Sequence, residues 1–218
     1  MIISHRHSLI LFSNPRTGSE TVRAVFEPWA DEPIVPFRNA TPQTPFYPHM
    51  TPRECHVAFR ERGLDFWSYR RITFVRNPYA RLVSLYRMIA DVDPVWRLRQ
   101  GIGIGPPDFA RWIKATKPAG RGGGGARHQK WRQYGTWRLS EWCADFVDEV
   151  YRTEELANVL PRLGTDYGIR ITDVPRLNAR PRVRWQALYT AELSALVAER
   201  YHDEMQRFGY PALHAAVA

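Results

Sequence analysis

Lysine is almost missing from this 218-residue chain: it stands only at positions 114, 117 and 130, so arginine carries nearly all the positive charge behind a formal net charge of +9. A surplus of permanently charged guanidinium groups favours polyanionic ligands and excludes little else; an acidic glycan and nucleic acid would be attracted alike. Cysteine is nearly as scarce. Cys55 and Cys143 are too few for a disulfide framework and fall in helical-looking stretches, where small, buried, reduced thiols are expected. No apolar run reaches membrane-spanning length, and the loop described below begins at residue 14, too early for a leader before the first core strand. A cytoplasmic protein without a membrane span is expected. Histidine and cysteine spacings of the metal-binding kind are missing, which argues for chemistry without a metal. The Gly-x-x-x-x-Gly-Lys-Ser/Thr nucleotide loop is missing as well.

What is present begins with Ser8-Leu9-Ile10-Leu11-Phe12-Ser13, a short apolar run that reads as a buried strand and passes into Asn14-Pro15-Arg16-Thr17-Gly18-Ser19-Glu20-Thr21. A strand that breaks into a loop opening a helix makes an anion site. The first N–H groups of a helix have no internal partners, and the helix dipole places partial positive charge there. Gly18 allows close backbone approach, Arg16 adds fixed charge, and Ser19 and Thr21 add hydroxyls. Glu20 is expected to face outward, as an acidic residue in the first turn of a helix.

The design recurs at Arg70-Arg71-Ile72-Thr73-Phe74-Val75-Arg76-Asn77-Pro78-Tyr79-Ala80-Arg81-Leu82-Val83-Ser84. Pro78 suits the first helical turn, where its missing N–H costs nothing, and Ser84 lies about two turns beyond Arg76. Arg76 and Ser84 would then hold a second phosphate.

With these two segments the chain resembles the PAPS-dependent sulfotransferases, specifically the branch containing the Golgi carbohydrate sulfotransferases and their bacterial relatives. Pro15-Arg16-Thr17-Gly18-Ser19 is similar to that family's 5′-phosphosulfate loop, and Val75-Arg76-Asn77-Pro78-Tyr79-Ala80-Arg81-Leu82-Val83-Ser84 to its 3′-phosphate motif almost position for position. A looser third block follows in the family's order: Asp148 to Leu156, Val174 to Asn178, and a helix ending Phe208-Gly209-Tyr210. Two departures stand out, since Arg16 replaces the usual lysine and Glu20 a hydroxyl residue. The resemblance implies PAPS as donor, PAP as product, no metal, and a hydroxylated acceptor, a carbohydrate by family weight. It also implies a three-layer, P-loop-like α/β fold with a central, mainly parallel sheet flanked by helices.

Length and a 44% hydrophobic content suit one domain over residues 1–218. A helix is expected to begin near Gly18 and run to about residue 28. Prolines at 33, 36, 42, 45 and 48 exclude regular structure and predict a long ordered loop or lid. Thr51-Pro52-Arg53-Glu54 reads as a capping box opening a helix to about Arg62, ended by Gly63. A strand over 71–76, a helix from Pro78 to about Ala90, a helix over 108–116, a strand over 146–151, a helix over 153–163 and one long helix over 190–208 complete the pattern. The glycine-rich segment 117–127 is expected to be mobile.

Sulfuryl transfer needs a cradle for the donor, a cation at the bridging oxygen and a base for the acceptor proton. Gly18, Ser19, Thr17 and Thr21 fit the cradle, Arg16 the cation, and Arg76 with Ser84 the 3′-phosphate. Arg182, in the alternating Arg180, Arg182 and Arg184, fits a basic loop closing the nucleotide site or a solvated basic strand. His49, in the loop between the two nucleotide motifs, is the leading base, and His128 the runner-up; an exposed histidine without a role is the alternative. Trp131, Tyr134, Trp137 and Trp142 supply either an acceptor platform or core. Two other functions stay open on the residues alone: a small-molecule kinase, and a basic module that binds polyanions without catalysis. Oligomeric state is not legible.

Overall fold

The computed structural model describes residues 1–92, 106–116, 136–175, 177 and 184–213. In chain order its elements are β1 (Ile2–Ser4), β2 (Leu9–Phe12), α1 (Ser19–Phe26), α2 (Pro52–Glu61), β3 (Arg70–Val75), α3 (Pro78–Val92), α4 (Pro106–Ala115), α5 (Leu139–Cys143), β4 (Glu149–Arg152), α6 (Leu156–Asp166), α7 (Ala191–Arg200) and α8 (His202–Phe208). They fall into two compact units, Met1–Val75 with Trp142–Ala179, and Arg76–Glu141 with Arg180–Ala218.

The first unit is built on a four-stranded sheet in the order β1-β2-β3-β4. β1 pairs antiparallel with β2, while β2 with β3 and β3 with β4 are parallel. The sheet is therefore mainly parallel, as expected, and its antiparallel edge strand β1 is an addition that the sequence pattern did not reveal. Strand periodicity sorts the side chains into two cores. Leu9, Leu11, Ile72 and Phe74 turn to one face, where they meet Val22 and Phe26 of α1 and Leu156, Val159, Leu160 and Leu163 of α6. Phe12 turns to the other, edge-on to Trp142, with Phe66 and Phe59 of α2 beyond it. Helix, sheet and helix thus make three layers, the α/β arrangement anticipated.

α2 starts as its sequence dictates. The Thr51 hydroxyl accepts from the Glu54 N–H, and the Glu54 carboxylate accepts from the Thr51 N–H. The proline-rich stretch before it is an ordered loop anchored by Phe46, Tyr47 and Met50, all buried.

In the second unit, α3 begins at Asn77, whose side chain accepts from the Tyr79 N–H at 3.0 Å while Pro78 occupies the first helical position. Its buried face carries Tyr79 and Tyr86, which join Phe109 and Tyr189 edge-to-face, with Trp112 tilted against Tyr86. The single helix expected over 190–208 is two helices, divided at Tyr201. Tyr201 is buried and donates its hydroxyl to the Thr136 carbonyl, and one turn later Glu204, wholly buried, receives Arg81 through two bonds of 2.8 and 3.0 Å. Apolar periodicity continues across the break, so these tertiary hydrogen bonds bend a pattern that reads as continuous.

Candidate functional site

The loop after β2 is held from both ends. Asn14, fully buried, donates from Nδ2 to the Thr73 hydroxyl at 3.0 Å and to the Phe74 carbonyl at 2.9 Å, fixing the loop's start against β3. The Thr17 hydroxyl donates back to the Asn14 carbonyl at 2.9 Å and closes the turn. Arg16 and Gly18 both take left-handed backbone angles, with φ of 66° and 75°. Gly18 is the N-cap of α1, and among the described residues no side chain caps that helix start. Its first N–H groups can therefore donate to an external acceptor.

Gly18 is required for a second reason. A Cβ there would stand 2.6 Å from Leu156 Cδ1 and 3.2 Å from Thr153 Cγ2, so the first turns of the segment after β4 pack directly behind the loop. The Thr153 hydroxyl lies 2.9 Å from the carbonyl oxygens of both Thr17 and Val75.

The predicted residues of the loop divide by what they have left to offer. Arg16, Gly18 and Ser19 are half-buried at its mouth. Thr17 is buried with its hydroxyl turned inward, so its contribution to an anion is confined to the main chain. Thr21 is also buried, and its hydroxyl donates to the Pro175 carbonyl at 3.1 Å. Glu20 faces solvent and pairs with Arg23, as expected of it.

His49 joins this loop through its root. Its Nδ1 lies 2.7 Å from the Ser13 carbonyl, and its own backbone is left-handed with φ of 62°. A carbonyl can only accept, so Nδ1 carries the proton and Nε2 keeps its lone pair. Burial lowers the His49 pKa from its ordinary value; the Ser13 bond opposes this, and the charges of the Met1 amino group and Arg23 add to it. The imidazole is therefore neutral near pH 7, in the tautomer a proton acceptor needs. A left-handed non-glycine residue of this kind marks a position held by its surroundings rather than by local preference.

Arg76 and Ser84 belong to the second unit and are half-buried, Arg76 directly after β3 and Ser84 on α3. Arg182, His128, Trp131 and Tyr134, like the segment 117–127, lie outside the described residues. Trp142 is a buried residue packed on Phe12, which makes it core of the first unit instead of an acceptor surface. His56 packs among Phe66, Trp67 and Phe146, and His5 bridges Glu32 and Tyr69.

Sequence reasoning did not single out Asn14 and Thr153. Asn14 stands where strand turns into loop, and Thr153 at the matching place after β4, so the signal available was position at the carboxyl end of a parallel strand, where α/β sheets bind ligands.

A mainly parallel α/β sheet with a helix opening from one of its central strands is an arrangement suited to binding anions. A model of the sulfotransferase family matches residues 1–211, nearly the whole chain, and the chain belongs to that family, the carbohydrate-type sulfotransferases and their bacterial relatives. Searches of curated proteins and of solved structures gave no match. Membership makes the protein a transferase of sulfuryl groups. Among the described residues, no helix is long and apolar enough to cross a membrane.

Proposed function

We propose that the protein transfers the sulfuryl group of PAPS to a hydroxyl of an acceptor, a carbohydrate or another hydroxylated metabolite, by in-line displacement. The observation that carries this reading is the bond between His49 and Ser13, which sets a neutral imidazole at the root of an uncapped, glycine-built anion loop. The loop fits a phosphosulfate: Leu156 and Thr153 pack against its back, where only a glycine leaves room for them, and the amides of Gly18, Ser19 and Thr21 supply donors without a counter-charge. Arg76 and Ser84 take the 3′-phosphate, the group that distinguishes PAPS from unphosphorylated nucleotides.

In the transfer, the acceptor oxygen attacks sulfur as the bond from sulfur to the 5′-phosphate oxygen breaks. The acceptor proton passes to His49 Nε2, and the charge that builds on the bridging oxygen is met by Arg16. PAP and the sulfate ester leave. Positioning and charge stabilisation account for the rate here, with no covalent enzyme intermediate and no metal required.

Incubation of the purified protein with PAPS and pools of hydroxylated acceptors, read by mass spectrometry for an added sulfate, tests the activity. Thermal shift tests the donor: PAP without magnesium is expected to raise the melting temperature. Stabilisation by ATP that requires magnesium, with none by PAP, would instead identify a kinase.

A further inference from the structure

The family's chemistry accounts for the loop and the base but leaves unexplained why one hydroxyl, that of Thr153, stands 2.9 Å from two carbonyl oxygens at once. Those oxygens are not arbitrary. One belongs to Thr17, which precedes the left-handed Gly18, and the other to Val75, the last residue of β3. Thr153 itself opens the short turn that follows β4. The loop after β2, the end of β3 and the turn after β4 therefore meet at a single side chain.

We infer that Thr153 is a positioning residue that aims the Gly18 N–H at the donor's anionic group. The reason lies in the peptide unit, which is planar and, among the described residues, always trans. In such a unit the C=O and the following N–H point in opposite directions. With the Thr17 carbonyl held toward Thr153, the Gly18 N–H is turned away from the segment behind the loop and toward the open helix start. The bond thus selects one of two orientations that a left-handed glycine, with its broad conformational freedom, would otherwise exchange.

Both substituents on the Thr153 Cβ take part. The hydroxyl shares its one proton between the two carbonyls, and the Cγ2 methyl stands 3.2 Å from the place a Gly18 Cβ would occupy, closing the back of the loop. Serine would keep the first contact and lose the second, and valine the reverse. The inference rests on the proposed donor reading and adds to it a residue without direct contact with the donor.

The test compares Thr153→Val and Thr153→Ser with the parent protein, using calorimetric titration with PAP, melting temperature, and steady-state kinetics with PAPS. Thr153→Val is expected to raise the PAP dissociation constant and the KM for PAPS about tenfold, the scale of one misdirected hydrogen-bond donor, with the KM for acceptor unchanged. Thr153→Ser is expected to stay within about twofold of the parent. A lower melting temperature in the valine variant with unchanged PAP affinity would reduce Thr153 to a structural contact and overturn the inference. On the unaltered protein, the Gly18 amide proton is expected to shift on addition of PAP in an NMR titration, and this measurement decides the matter should Thr153→Val not fold. A Gly18 amide indifferent to bound PAP overturns the positioning role while leaving the donor reading intact. Failure of the parent to bind PAP at all would instead remove the donor reading, and this inference with it.

Discussion

Replacing Gly18 by alanine tests the packing behind the anion loop, and the structure supplies its own control. At Gly18 the new methyl meets Leu156 Cδ1 at 2.6 Å and Thr153 Cγ2 at 3.2 Å, in a backbone with φ of 75°. At Gly63 the backbone is equally left-handed, with φ of 67°, yet nothing lies within 4 Å of an added Cβ. Gly63→Ala should therefore carry only the cost of a left-handed alanine, about 1 kcal/mol. Gly18→Ala adds overpacking against a buried leucine, roughly 1–3 kcal/mol more, because Leu156 is held among Val22, Phe26 and Leu160 and has little room to swing aside. For a chain of this length the expected fall in melting temperature is about 2–4 °C for Gly63→Ala and about 4–16 °C for Gly18→Ala. Calorimetric titration with PAP should show a loss of tenfold or more for Gly18→Ala and none for Gly63→Ala, since only the former displaces the loop. Equal melting temperatures for the two variants would refute the reasoning, because they would mean that the loop does not rest on Leu156 and Thr153.

Further outcomes follow from the same geometry. His49→Ala should abolish turnover while leaving PAP affinity within about twofold; and because burial depresses the His49 pKa, kcat/KM of the parent should hold as pH falls through 6.5 and decline only below it. An acid limb above 6.5 would contradict the assignment. The same depression means that protons bind the unfolded chain more readily than the folded one between the two pKa values, so His49 makes stability decline as pH falls through 6.5 toward the folded value, a slope that His49→Ala should remove from a pH series of urea melts. Glu204→Ala should cost about 3–5 kcal/mol in urea unfolding by leaving the buried Arg81 guanidinium without its carboxylate, whereas joint replacement of Arg81 and Glu204 by methionine and leucine should cost less. Cys55 and Cys143 are buried and form no disulfide, and burial pushes the Cys55 thiol well above its ordinary pKa, so thiol reagents should titrate neither until the chain unfolds.

The assembly of the site also bears on why two departures from the family pattern are tolerated. Glu20 would repel a phosphosulfate if it faced the loop, but its place in the first turn of α1 turns it to solvent, where Arg23 one turn later pairs with it. Arg16 keeps the charge of the usual lysine in a broader, planar group.

Much of this protein was legible in short windows of its sequence, because the forces that set those features act between neighbours. The apolar run ending at Phe12, the capping box of Thr51 and Glu54, Pro78 at the head of α3 and the two strand-loop-helix segments each depend on residues within a few positions, and each stands where the pattern put it. The family followed from the same local spacing. What the sequence did not disclose depends on partners far along the chain. The Thr17 and Thr21 hydroxyls looked alike in the loop, but one closes on Asn14 three residues away and the other on Pro175, 154 residues away. The Thr153 bond to Thr17 spans 136 residues, the His49 bond to Ser13 spans 36, and the ion pair that accompanies the break between α7 and α8 spans 123. A hydroxyl or an imidazole can satisfy its hydrogen bond in many ways at almost no local cost. Only the closing of the sheet and the packing of the helices chose among them, and that choice fixed which groups were left to face a ligand.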